Sequence, residues 1–249
     1  MNIIINEHTL NGFNYLELID TTCVDQPAPL VFFLHGYTNN KELSIISGYK
    51  LARNGYRVIL LDAKYHGERR INNQRVPEYR LPEIINQSLK DIDAIHNELT
   101  TRNLVIVGRV GVTGESLGGI TTLAALTQFK WIDVAVSLMG TPSIYQFFKS
   151  QLQHLDLGEV TKKIGGAIIT GLKDIDLSRH PETLAGRNVL LWHGDVDQTV
   201  PYYDDWAFYK TAKHHDYGTN LSFELTHNVG HYVGRDTTDM MVAYFKANL

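Results

Sequence analysis

The chain has 249 residues, of which 43% are hydrophobic and 20% are charged, and its formal net charge is −4. This size and hydrophobic content suit one α/β domain, and the absence of a basic stripe argues against a nucleic-acid partner. Cys23 is the only cysteine, which excludes an intramolecular disulfide and a four-cysteine zinc site and suits a reducing cytoplasm. No apolar run approaches the ~18 residues that span a bilayer, so we expect no membrane anchor and no cleaved signal.

The order of apolar segments along the chain predicts the fold class. Residues 13–19 alternate apolar with polar and predict a half-exposed strand, followed by a polar loop over residues 20–29. Short continuous apolar runs then predict strands covered on both faces, at residues 30–34, 58–61, 134–138 and 189–192. Segments of helical periodicity lie between them, at residues 43–54, 84–99 and 120–129. We therefore expect an α/β fold, with a mostly parallel central sheet and helices on both faces.

Residues 141–186 interrupt this alternation. Their apolar residues suggest helices, and the position in the chain predicts a small helical cap insertion over the carboxyl ends of the strands. No internal repeat or linker indicates a second domain, so residues 1–249 are expected to form one domain that carries this insertion.

A serine flanked by glycines follows the predicted strand at residues 109–113. Gly114-Glu115-Ser116-Leu117-Gly118 fits the G-x-S-x-G pattern, and the helix predicted at residues 120–129 supplies the context that the pattern requires. A sharp strand-to-helix turn needs small residues two positions before and after the nucleophile. The spacing of glycines fits neither a Walker loop nor a G-x-G-x-x-G fingerprint. We predict that Ser116 is a nucleophile.

A nucleophilic serine needs a general base and a carboxylate that orients the base, in the chain order serine, acid, histidine. The loop after the strand at residues 189–192 offers two aspartates, Asp195 and Asp197. We favour Asp197, which lies deeper in the loop, just before a Val-Pro pair that can open a helix. Asp195, as a turn-capping aspartate, is the alternative.

Four histidines follow the predicted acid. His231 lies in a loop between the strand predicted at residues 221–225 and the terminal helix predicted at residues 236–247, a position suited to a base. His227 is the alternative, while His214 and His215 lie at a polar helix end. His227 and His231 are four residues apart, but Gly230 disfavours a helix there and no H-E-x-x-H glutamate accompanies them. We expect no metal.

An oxyanion hole requires two backbone N–H groups beside the nucleophile. Leu117, directly after Ser116, is expected to supply one, and Tyr37, in the His-Gly-Tyr turn after the first buried strand, the other. His66 and Met139 lie at the ends of two other strands, where each could line the substrate pocket. Hydrogen bonding within its own loop is the alternative for His66, and core packing is the alternative for Met139.

Five motifs together resemble bacterial esterases of the α/β-hydrolase superfamily, in the branch related to the prolyl-oligopeptidase catalytic domain and the dienelactone hydrolases. They are HGYTNNKE, DAKYHGER, GVTGESLGG, WHGDVDQTVP and VGHY. The resemblance implies the α/β-hydrolase fold, the aspartate of a G-x-x-D-x-x-V-P pattern at Asp197, and the base at His231. It also implies activity on short-chain carboxylic esters without a cofactor.

The sequence thus predicts a serine carboxylesterase that acts on a small-molecule ester through an acyl-enzyme intermediate. Acyl transfer, deacetylation of a sugar, or amide hydrolysis on the same three residues is the alternative within enzymes. A non-catalytic binding protein with a hydrolase fold is the alternative from another class, although such proteins often lack one of the three residues, and here all three positions are filled.

Overall fold

A computed structural model describes residues 1–72, 76–153 and 170–249 of the chain. These residues contain an eight-stranded sheet, whose order is β1-β2-β4-β3-β5-β6-β7-β8. The strands β1 and β2 pair antiparallel, as do β2 and β4, and every other neighbouring pair is parallel. The strands are β1 Ile3–Leu10, β2 Phe13–Asp20, β3 Ala28–Leu34, β4 Arg57–Leu61, β5 Val105–Glu115, β6 Val134–Leu138, β7 Asn188–Gly194 and β8 Leu221–Thr226.

Helices cover both faces of the sheet. Among the described residues they are α1 Ile45–Ala52, α2 Leu81–Thr101, α3 Leu117–Gln128, α4 Ile144–Gln153, α5 Tyr203–Ala212 and α6 Arg235–Asn248, and short 3₁₀ turns join several elements. One apolar core lies between the sheet and α2, α3 and α5, and a second lies between the sheet and α1 and α6. This is the predicted α/β-hydrolase arrangement, and in the described part of the chain no helix is long and apolar enough to cross a membrane.

Two predictions about the amino-terminal region were wrong. β2 is buried along most of its length, not half-exposed, because β1 and β4 flank it and α1 packs against it. Glu17, which gave the strand its polar alternation, is buried in an ion pair with Arg57. The loop predicted over residues 20–29 ends earlier, since β3 begins at Ala28.

The edge strand β1 was not predicted. It has one neighbouring strand, β2, and its residues are only partly buried or exposed, so it lacks the continuous apolar run of the buried strands.

The predicted cap at residues 141–186 includes residues 154–169, which lie outside the described residues. Of its described flanks, α4 begins just after β6, and 3₁₀ turns occupy Leu172–Ile175 and Pro181–Leu184. The buried carboxylate of Asp176 accepts a hydrogen bond from the backbone N–H of Tyr145, in the first turn of α4, at 2.8 Å. This contact ties the two flanks together at the start of α4.

Candidate active site

Ser116 occupies a sharp turn between β5 and α3. Its φ of 54° and ψ of −114° lie in a region that residues other than glycine rarely adopt. The turn is fixed by the Ser116 N–H, which donates to the Leu138 carbonyl at 2.9 Å, and by the Ile120 N–H, which donates to the Ser116 carbonyl at 2.9 Å. The sheet and the helix therefore hold the serine backbone in a conformation that carries its side chain out of the sheet.

The glycines around Ser116 are required by the proximity of β3. A Cβ atom at Gly118 would overlap the Leu34 carbonyl, and one at Gly114 would lie 2.5 Å from the same oxygen. Neither clash can be relieved by turning a flexible side chain, because the obstacle is backbone. The spacing of glycines in the sequence thus follows from how closely the serine turn approaches β3.

The three side chains predicted as nucleophile, base and acid lie in one hydrogen-bonded line. His231 Nε2 lies 2.8 Å from Ser116 Oγ, and His231 Nδ1 lies 2.7 Å from Asp197 Oδ2. The other Asp197 oxygen accepts hydrogen bonds from the backbone N–H groups of Thr199 and Val200, at 2.8 and 3.0 Å. Burial alone would raise the pKa of Asp197, but these bonds from His231 and the backbone lower it below its usual value. Asp197 is therefore ionised beside the imidazole at neutral pH.

A second histidine–aspartate pair lies behind Asp197. His193 and Asp205 are fully buried, with His193 Nδ1 2.9 Å from Asp205 Oδ2 and His193 Nε2 2.7 Å from the Val200 carbonyl. Burial raises the pKa of Asp205, while for His193 the pairing with Asp205 outweighs burial and raises the pKa. His193 thus bonds the Val200 carbonyl, and the Val200 N–H in turn donates to Asp197. This pair was not predicted, although His193 lies in the same motif as Asp197.

The turn after β3 brings Tyr37 beside Ser116. A Cβ atom at Gly36 would lie 3.6 Å from Ser116 Cβ, so the backbone of this turn lies close to Ser116. Leu117 is the first residue of α3, and N–H groups in the first turn of a helix have no acceptor within the helix. Both residues line the same cavity as Ser116 and His231. Their role as oxyanion donors stays a prediction.

That cavity has a volume of about 280 Å³ and opens beside Ser116. Most of its wall is apolar or aromatic, and no lysine or arginine is among the described residues that form it. Phe147 and Phe148, on α4, supply one side, with ring centroids 5.2 Å apart. The remaining wall comes from Tyr37, Thr38, Glu78, Tyr79, Leu81, Pro82, Leu117, Ile120, Gln151, Thr199 and Val200. The phenylalanines of α4 were not singled out from the sequence.

His66 and Met139 are not among the residues that line this cavity. His66 is buried, its Nδ1 lies 3.0 Å from the Lys64 carbonyl, and its ring lies against those of His35 and Tyr37. Met139 is buried in the core between the sheet and α6. His66 is thus bonded within its own loop and Met139 is used in packing, as the two alternatives had it. The expectation that they line the cavity beside Ser116 was wrong.

The alternatives for acid and base, Asp195 and His227, bond to each other away from Ser116. Among residues 1–72, 76–153 and 170–249, no three His, Cys, Asp or Glu side chains are grouped so that they could hold a metal ion. In this part of the chain, His231 is the only histidine whose ring shares a hydrogen bond with Ser116 Oγ.

Comparison with known proteins places this site in a family. The model of the prolyl oligopeptidase family matches residues 51–248, which include Ser116, Asp197 and His231. The chain belongs to the prolyl oligopeptidase family.

Similar proteins and solved structures align with almost the whole chain. A protein of Bacillus subtilis (strain 168) named "Putative esterase YitV" is 34% identical over 98% of this chain and 99% of its own length. The structure of TT1662 from Thermus thermophilus has a TM-score of 0.76 at 18% identity, covering 99% of this chain and 98% of that one. An acetyl xylan esterase from Paenibacillus sp. R4 has a TM-score of 0.71 at 18% identity, covering 99% and 89%. At these identities the two structures show only that this chain, a member of the prolyl oligopeptidase family, has the same fold as they do.

Proposed function

We propose that the protein is a serine carboxylesterase that hydrolyses short-chain carboxylic esters through an acyl-enzyme intermediate. The observation that carries this proposal is the line from Ser116 through His231 to Asp197, opening onto an apolar cavity. A negatively charged substrate group would find no lysine or arginine among the described residues of the cavity wall, whereas an acyl chain would find aromatic side chains. The name of the Bacillus subtilis relative is consistent with esterase activity.

The first half of the reaction transfers the acyl group to the protein. Ser116 Oγ attacks the ester carbonyl carbon while its proton passes to His231 Nε2, and Asp197 stabilises the imidazolium that forms. The carbonyl oxygen becomes an oxyanion, held by the N–H groups of Tyr37 and Leu117. When the tetrahedral intermediate collapses, the bond to the alcohol oxygen breaks and His231 returns the proton to the departing alcohol. An acyl ester on Ser116 remains.

The second half releases the acid. His231 takes a proton from water, the hydroxide oxygen attacks the acyl carbon, and a second oxyanion forms at the same site. Collapse breaks the bond to Ser116 Oγ, which regains its proton from His231. No step uses a cofactor. The single cysteine is in keeping with a cytoplasmic location, which we propose with the activity.

The test is Ser116→Ala on p-nitrophenyl acetate. We expect turnover to fall by at least ~10³-fold with an unchanged melting temperature, because the substitution removes the nucleophile and no packing. A fluorophosphonate probe should label the wild type at Ser116 and leave the variant unlabelled. Full activity in Ser116→Ala would overturn the proposal.

The alternatives are separated by the substrate. Transfer of the acyl group to an added alcohol in preference to water would identify an acyltransferase, and preference for an acetylated sugar or an amide would identify a deacetylase or amidase. A wild-type protein that binds esters but is not labelled at Ser116 would be a non-catalytic binding protein.

A further inference from the structure

The turn that carries Tyr37 is held by two groups that the mechanism above does not use. His35 Nδ1 lies 2.8 Å from the Gly36 carbonyl oxygen, and the Asn39 N–H donates to the same oxygen at 3.1 Å. The other nitrogen of the His35 ring, Nε2, accepts a hydrogen bond from the Ala63 N–H at 2.9 Å. Because Nε2 accepts, the proton of the neutral ring is on Nδ1 and is donated to Gly36.

Holding the Gly36 carbonyl also fixes the direction of the Tyr37 N–H. The two groups belong to one planar peptide unit, which is trans, so the N–H points away from the carbonyl oxygen. By bonding the Gly36 carbonyl oxygen, His35 and the Asn39 N–H therefore also fix the Tyr37 N–H, which points in the opposite direction. A small rotation of this peptide would misdirect one of the two predicted oxyanion donors.

Glu115 connects this turn to the nucleophile. It directly precedes Ser116, and its Oε1 accepts a hydrogen bond from Asn39 Nδ2 at 3.1 Å. Its side chain also lies against Gly36, where an added Cβ atom would be 3.6 Å from Glu115 Cγ. Asn39 thus bonds Glu115 with its side chain and the Gly36 carbonyl with its backbone. The residue before the serine and the turn after β3 are joined through one asparagine.

We infer that Glu115 is a positioning residue, which acts through Asn39 to hold the Gly36–Tyr37 peptide so that the Tyr37 N–H points at the oxyanion of the tetrahedral intermediate. The inference rests on the proposed function. The carboxylate does not touch the reacting atoms in this role, and its effect is exerted when negative charge forms on the carbonyl oxygen.

The environment of Glu115 is in keeping with such a role. Burial raises the pKa of this carboxyl, while hydrogen bonds from Asn39 and from the Gly36 N–H, together with the nearby His231, oppose the rise. The proximity of His231 also offers a different explanation, in which the charge of Glu115 acts directly on the base. The experiment has to separate orientation of the peptide from this direct effect on His231.

Asn39→Ala separates them, because it removes the side-chain hydrogen bond to Glu115 and leaves the charge of Glu115 in place. We expect kcat for p-nitrophenyl acetate to fall ~10-fold or more with KM within about twofold, since an oxyanion contact exists only in the transition state. The acidic limb of the pH–kcat profile should not move. Affinity for phenylboronic acid, which forms a tetrahedral adduct with an active serine, should weaken in parallel with kcat.

Two substitutions of Glu115 complete the series. Glu115→Ala should lower kcat at least as much as Asn39→Ala, and Glu115→Gln, which keeps one acceptor oxygen, should lower it less.

Asn97→Ala is the matched control. It removes an asparagine–carboxylate hydrogen bond to Asp93, of 3.2 Å, on the exposed surface of α2, and should leave kcat unchanged. Asn39→Ala and Glu115→Ala with plateau kcat values within twofold of the wild type would overturn the inference while the esterase assignment stands. A wild type that neither turns over ester nor labels at Ser116 would overturn both.

Discussion

Asp195 and His227 form the same contact as Asp197 and His231, with Nδ1 2.8 Å from Oδ2, but they form it on the surface of the protein. The His227 side chain is 82% exposed, whereas the Asp197 side chain is fully buried. A polar contact in this exposed position competes with water and contributes little. Of the two pairs, only His231 with Asp197 contacts Ser116, so only this pair can act on the nucleophile although both have the same chemistry.

This difference predicts opposite results for two similar substitutions. Asp197→Asn should lower kcat for p-nitrophenyl acetate by ~10³-fold or more, because the imidazole loses the carboxylate that fixes its tautomer and stabilises its charge. Asp195→Asn, two residues away, should leave kcat within about twofold. Equal losses in the two variants would contradict the assignment of Asp197 as the acid.

The sequence could predict the fold and the chemical types at the site, because buried parallel strands and a glycine-flanked serine have distinctive local patterns. It favoured Asp197 over Asp195 by loop position, by the Val-Pro pair that follows and by family resemblance, but not by burial, since burial of a loop carboxylate depends on contacts with distant segments. The same limit hid the pairing of His193 with Asp205 and of Asn39 with Glu115, which join residues from different elements. For the same reason the sequence could not decide whether His66 and Met139 line the substrate pocket or are used within the loop and the core.

The close approach of α3 to β3 predicts that Gly118 tolerates no side chain. In Gly118→Ala the new methyl group would overlap the Leu34 backbone, and we expect the free energy of unfolding to fall by about 3 kcal/mol, or the melting temperature by about 10 °C. Gly171→Ala is the control, because among the described residues nothing lies within 4 Å of a Cβ atom there and its stability should not fall. Thermal unfolding of the two variants makes the comparison, and equal melting temperatures would contradict it.

Burial of His35 predicts that the protein loses stability in mild acid. Burial lowers the pKa of His35 to about 4, from a usual value of 6.5. Between these pH values the unfolded chain binds the proton and the folded protein does not, so the stabilisation is complete above pH 6.5 and is lost as the pH falls towards 4. The loss is on the order of 3 kcal/mol.

His35→Gln removes this titration. The free energy of unfolding of the wild type, measured by urea denaturation from pH 7 to pH 4, should fall more steeply than that of the variant, so that the two values converge in acid. His214→Gln, at an exposed histidine, should keep the wild-type slope. Parallel curves for the wild type and His35→Gln would show that His35 does not titrate in this way.

The position of Phe147 predicts a limit on the length of the acyl chain. Its half-buried ring packs against Phe148 on the wall of the cavity beside Ser116. Phe147→Ala should enlarge the cavity, and we expect the ratio of kcat/KM for p-nitrophenyl octanoate to that for the acetate to rise ~10-fold, since each buried methylene contributes about 0.8 kcal/mol. Lys149→Ala, on the exposed part of the same helix, should leave the ratio unchanged. A ratio that does not respond to Phe147→Ala would mean that the acyl chain of the substrate lies elsewhere, and that the wall formed by α4 contacts the alcohol portion instead.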